Sequence, residues 1–325
     1  VVLIFTTVNF LPGYRAKAET TEDMATDTDA QADADVDAEV QSGVAGAIQD
    51  ELPIMRLQPG GVGTVKVTGL NTASHSGTTF SSFALSNGCI GFCTNHAARP
   101  IGQNSSELNS YDYAYFDLGS SQVGLSAGQQ SQIKKILFYG YNGLANQLTG
   151  YSAQDQIAYT TDAMQYVICG RSYISGNPLF GYINDGWPEP PASDMSFTPS
   201  NVTATYNAAI GKQVTPDISF SADVRVGGDV TLPAGAEMYF VSSSSGKTLN
   251  TPYTGTVRIA GGDTFYMTMP ADADTSWTGT VSGQFMTNVY EVHSDSWART
   301  GSGVQGIMFA TNGSNSASFT ATFAE

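Results

Sequence analysis

Two cysteines and a histidine fall within CIGFCTNH, Cys89 to His96, and the chain's third cysteine, Cys169, follows in MQYVICG. Three chemistries fit that inventory. Cys89, Cys93, His96 and Cys169 could supply a Cys3His set for zinc, although C-x3-C-x2-H is a loose spacing without a second close pair. A disulfide would use two of the thiols and leave one unexplained. A reactive centre needs only Cys93, with His96 three residues on to act as base or to lower the thiol pKa. Such a pair alone lacks the orienting group and oxyanion hole of a hydrolase or acyltransferase. At this level all three readings stand.

The whole chain narrows the classes. Its 325 residues leave room for two domains, and the formal charge of −16 argues against nucleic acid, which requires clustered Lys and Arg. Charged residues are sparse at 13%, while Gly, Thr, Ser, Val and Tyr are frequent, a β-leaning profile. Between Lys17 and Arg56 there is no basic residue, and acidic positions from Glu19 to Glu51 alternate with Ala and Thr. Residues 19–53 are therefore expected to form a disordered acidic spacer. Ahead of them, VVLIFTTVNFLPG with a small-x-small AKA site reads as the back half of a secretory signal peptide, residues 1–18. Export is the expectation, with both ends truncated and no membrane insertion of the mature chain. No cofactor is called for: GGVGTVKVTG lacks the lysine-serine ending of a phosphate loop.

Elements that could position the cysteines follow from periodicity. TVKVTGL, FSSFALS and YAYFDL alternate as strands, and QQSQIKKILFYGY carries Ile133, Ile136 and Leu137 at helical spacing. A second helix is expected in SAQDQIAYTTDAMQYVI, with Ile157, Thr161, Met164 and Ile168 on one face and Ser152 as its cap. Gln165 lies beside that face and can point inward. Proline-rich DGWPEPPASD supplies a linker at 187–194. The regular short strands of 195–325 then suggest a β-sandwich. The expected architecture is a mixed α/β (α+β) domain over 54–186 followed by an all-β, immunoglobulin-like sandwich.

From Phe83 to Cys169 the chain resembles the thioester domain of Gram-positive surface adhesins. GFCTNHAARPIG places Phe92 before Cys93 and then Pro100 and Gly102; IKKILFYGY matches a lysine-rich helix with Tyr-Gly-Tyr, Lys134 to Tyr141; MQYVI sets Gln165 between hydrophobic residues. The resemblance implies an internal thioester between Cys93 Sγ and the Gln165 side chain, formed with loss of ammonia. It further implies capture of a lysine amine on a host or surface protein as an amide, used once rather than turned over. Phe92, Tyr139, Tyr141 and Tyr166 would line the bond, His96 would accept the amine's proton, and Cys89 with Cys169 would be the disulfide that spares the pair. Met164 stands where many members have Thr, and no tryptophan follows. An alternative register would place Asp162 at the glutamine position, and Cys89 could stand in for Cys93. Lys212 and Lys247 are the sandwich's only lysines, available for a stalk isopeptide bond with no partner assigned.

Overall fold

A computed structural model describes residues 61–103, 107–184, 186–294, 297 and 303–324. The expected signal peptide and acidic spacer lie outside the described residues. The described residues are mostly β, with three helices, and none of those helices is long and apolar enough to cross a membrane.

The first half holds β1 (Gly63–Val65), β2 (Val67–His75), β3 (Thr78–Leu85), β4 (Ile90–Cys93) and β5 (Tyr113–Asp117), then α1 (Ala127–Tyr139), α2 (Ala153–Cys169) and α3 (Leu179–Asn184). The second half holds β6 (Ser196–Thr198), β7 (Asn201–Thr203), β8 (Thr205–Asn207), β9 (Lys212–Val214), β10 (Ile218–Ser221) and β11 (Gly227–Thr231). It continues with β12 (Glu237–Ser242), β13 (Pro252–Tyr253), β14 (Thr256–Ala260), β15 (Thr264–Pro270), β16 (Thr275–His293) and β17 (Ile307–Phe323).

Helix α2 begins where the sequence signals it, and α1 begins two residues ahead of the expected stretch. Ser126 and Gln129 form a reciprocal capping box at α1. Ser152 accepts the Asp155 N–H at the start of α2, and Gly170, at φ 72°, closes its end. A Gln129 side-chain amide donates to Val167 O at 2.9 Å and ties the two helices together.

The sheet departs from the expected division of the chain. Its order is β1-β5-β16-β17-β4-β3-β2, so the two central strands of the first domain come from the segment assigned to the second. The β16–β17 pair runs from Thr275↔Phe323 to Val292↔Ile307, a ribbon roughly 60 Å long at about 3.3 Å per residue. At one end Val281 and Phe319 belong to the sandwich core with Phe197, Phe240 and Phe265. At the other, Val289 and Met308 join Phe92, Phe116, Ile136 and Met164 beneath the helices. Val292 and Ile307 point to the opposite face, into a core with Val67, Phe83 and Cys93. Alternation along each strand makes this possible, since successive side chains serve opposite faces. The linker is also pinned: Trp187 packs edge-on against Tyr139 and Tyr182, and Tyr139 Oη donates to Pro188 O at 2.9 Å.

A candidate thioester site

Cys93 is the last residue of β4, and Ile307 of β17 lies opposite it in an antiparallel ladder. The next residue, Thr94, donates both its N–H and its hydroxyl to Gly306 O, each at 3.1 Å. Further on, Arg99 N–H reaches Gly303 O, and Gln305 N–H returns to Arg99 O. The chain leaving Cys93 is thus held by the segment that enters β17. Gly102 of the Pro-x-Gly match takes φ 80°, and a Cβ there would overlap Leu108. Only glycine adopts that backbone without strain.

Helix α2 brings Gln165 to this place through contacts at successive turns. Asp155 Oδ1 meets His75 Nδ1 of β2 at 3.0 Å, and Thr161 hydroxyl donates to Ser81 O of β3 at 3.3 Å. The Cys169 thiol donates to Thr94 O at 3.3 Å. Between these ties, Gln165 Nε2 stands 2.7 Å from Cys93 Sγ. That is shorter than an ordinary N–H···O separation although sulfur is the larger atom, so nothing fits between the two groups. Gln165 is 1% exposed and Cys93 4%. Gln165 Oε1 has no hydrogen-bond partner among the described residues. Burial pushes the Cys93 thiol up to about 12, so the sulfur rests protonated.

The other expected residues separate into near and far. Phe92 is buried, but in the core beneath the helices rather than in the apolar cluster that holds Cys93. Tyr139 is buried but serves the Trp187 linker contact, and Tyr141 donates its N–H to the Thr160 hydroxyl. Tyr166 is 39% exposed and leans on Phe180. One residue is about 100° of helix, so turning Gln165 inward turns Tyr166 out. Cys93 itself shares an apolar cluster with Phe83, Val304 and Ile307. His96 is exposed; its ring stacks on Tyr173 at 4.4 Å and meets Phe80 edge-on. The groups that act on Cys93 are Gln165, Asn95, Cys169 and Ser81, with no histidine among them.

Asp162 does not compete with Gln165. Its buried carboxylate accepts from Tyr173 N–H, Ser172 hydroxyl and Asn177 amide, which fastens the loop after α2. The expected Cys89–Cys169 disulfide is absent, and no disulfide joins any of the three cysteines. Cys89 precedes β4 and Cys169 contacts its far end at Thr94. Four extended residues, about 13 Å, therefore separate those places, beyond the reach of a disulfide. No cluster of three or more metal-ligating side chains occurs among the described residues. Lys212 pairs with Glu237 at 2.7 Å and Lys247 sits over the Tyr253 ring.

One buried cluster was not foreseen. His293 Nε2 lies 3.0 Å from Glu291 Oε2, both side chains buried, and the His293 ring stacks on Trp297 at 3.9 Å. A side chain at Gly306 would meet Glu291, Trp297 and the Thr94 hydroxyl, so only glycine fits between this cluster and the residue that follows Cys93. The signal was present in NVYEVHS, where Glu291 and His293 fall on the same face as apolar Val289.

Comparison with known proteins agrees with the second half of the chain. Residues 196–285 match the family described as TED associated beta sandwich domain. Residues 196–285 thus resemble the sandwich that accompanies thioester domains, and the resemblance to thioester-domain proteins stands. Among solved structures, the TIE protein of Bacillus anthracis is similar at 12% identity over 80% of this chain, with a TM-score of 0.39. The chain spans about half of that protein's length, 49%. The thioester domain of the Enterococcus faecium TIE86 protein is similar at 12% identity, over 80% of this chain and 95% of that one, with a TM-score of 0.35. No curated protein matches.

Proposed function

We propose that this protein is a covalent binder of the adhesin type, secreted or displayed at a bacterial cell surface. In this reading it carries a thioester between Cys93 and Gln165 and transfers the Gln165 acyl group to an amine on a surface or host protein. One observation carries the reading: a buried thiol and a buried carboxamide held 2.7 Å apart by elements from both halves of the fold. The TED associated sandwich over 196–285 supports it independently.

The chemistry balances within the pair. Cys93 Sγ bonds to Gln165 Cδ, the Cδ–Nε2 bond breaks, and the thiol proton passes to the departing nitrogen, which leaves as ammonia. In the resting pair the Nε2 amide donates to Sγ; once Sγ has added to Cδ the nitrogen loses its amide conjugation, becomes basic, and takes up the thiol proton from the sulfur beside it. No external base is required, which suits a thiol with a pKa of about 12. Holding the partners in contact removes the entropic part of the barrier. In the second step an amine nitrogen bonds to Cδ, the Cδ–Sγ bond breaks, and the proton lost by nitrogen restores the thiol.

Burial explains why the bond survives until a partner arrives. Water has little access to a site 1–4% exposed, and among the described residues no donor polarises the Gln165 carbonyl oxygen. The acyl group is consumed, so the protein acts once. The test is labelling with a biotinylated primary alkylamine. Label on Gln165, absent from Cys93→Ala and Gln165→Ala, is expected; label elsewhere, or equal label in Cys93→Ala, would overturn the proposal.

A further inference from the structure

The reaction proposed above leaves two sulfurs without a further use. Cys93 is released as a thiol once its acyl group has moved to the amine, and Cys169 takes no part. Yet Cys169 follows Gln165 by one helical turn, and side chains four apart share a helix face. Its thiol donates to the carbonyl of Thr94, the residue after Cys93. The two sulfurs are close enough for Cys169 to disfavour the Cys93 thiolate. Their exposure differs usefully: Cys93 is buried, and Cys169 is half-exposed. Cys89 is half-exposed too, but it lies about 13 Å back along extended chain, out of disulfide reach.

We infer that Cys93 and Cys169 are a disulfide pair that closes after acyl transfer and makes the captured amide permanent. This rests on the thioester reading. The freed Cys93 thiol faces a new amide at Gln165 in the arrangement that first expelled ammonia. A second attack would expel the captured amine and regenerate the thioester. Oxidation removes the nucleophile. A small-molecule disulfide is attacked first by half-exposed Cys169, giving a mixed disulfide and one released thiol. Cys93 sulfur then attacks the Cys169 sulfur and displaces the second reagent thiol. Two protein thiols are oxidised, one reagent disulfide is reduced to two thiols, and both protons remain in solution or on those thiols. While the thioester is intact, its acylated sulfur cannot make this attack, so the order of events is built in.

The experiment uses the full chain carrying Cys89→Ser, with oxidised glutathione as the reagent and intact mass and peptide maps as readouts. Before methylamine, the expected product is a single glutathione adduct on Cys169. After methylamine, the expected product lacks glutathione, is lighter by two hydrogens, and yields linked Cys93 and Cys169 peptides. A methylamine-treated chain that retains glutathione on Cys169 with an alkylatable Cys93 would overturn the pairing. The Gln165→Ala variant should close the disulfide without methylamine. If the parent chain behaves like that variant and shows no prior loss of ammonia, the thioester reading fails while the cysteine pairing stands. For the lock itself, isotope-labelled methylamine bound at Gln165 should be released from the reduced chain and retained by the oxidised one. Equal release from both would contradict it.

Discussion

Ile307 faces Cys93 across the ladder between β17 and β4, so the proposed nucleophile is held by a strand from the far end of the sequence. The same strand reaches the sandwich core through Phe319 and Phe323. Residues 61–186 expressed alone therefore lack the two middle strands of their own sheet. They are expected to show no cooperative thermal transition, whereas 61–324 does. A sharp transition in the shorter fragment would contradict the shared-sheet architecture.

The Cys93–Gln165 bond would close a loop of 72 residue steps. In the chain-entropy description such a closure contributes roughly 4 kcal/mol. Cys93→Ala and Gln165→Ala should each lower the melting temperature, and the double variant should be no less stable than the poorer single one. Calorimetry decides this. Additive losses would mean that two independent contacts, not one bond, had been removed.

Asp162 fastens the loop after α2 and plays no part in acyl chemistry. Asp162→Ala strands the part-buried Tyr173 N–H and one N–H of the buried Asn177 amide, whose other bond to Tyr159 O remains. Its expected cost is about 1–3 kcal/mol per orphaned group, with the thioester still formed in the folded fraction. A variant of normal stability that had lost the thioester would return Asp162 to the acyl-donor register.

Asp155 ties the start of α2 to β2. The Ser152 hydroxyl, and then His75, hold its carboxyl below the usual range. A folded pKa below the unfolded value of about 3.9 gives stability that is present above that pH. The contribution is lost as pH falls through the lowered folded value. The melting temperatures of wild type and Asp155→Asn should differ at pH 6 and converge at acid pH. A constant gap down to pH 2 would contradict the assignment.

Much of the candidate site is legible in the sequence because its signals are local. Ser152 marks its helix through side-chain capping, and the 3.6-residue spacing around Met164 turns Gln165 inward. The strand that carries Cys93 is too short for alternation to reveal. Its partner β17 is non-local, and no periodicity within 54–186 hints that strands from after residue 275 complete the sheet. Tyr166 was misplaced because a hydrophobic neighbour in sequence became an outward neighbour on the helix. The Cys89–Cys169 pairing fails because Cys89 lies just before β4, whereas Cys169, at the end of α2, meets the chain just after it at Thr94.

The most direct measurement is the intact mass of residues 54–325, taken before and after methylamine. The expected mass is one ammonia below the sequence value; methylamine should raise it to one methylene above that value, with the tag on Gln165, and Cys93→Ala should show neither change. A mass equal to the sequence value, unchanged by methylamine, would contradict it and leave Cys93 and Gln165 as a packed but unbonded pair.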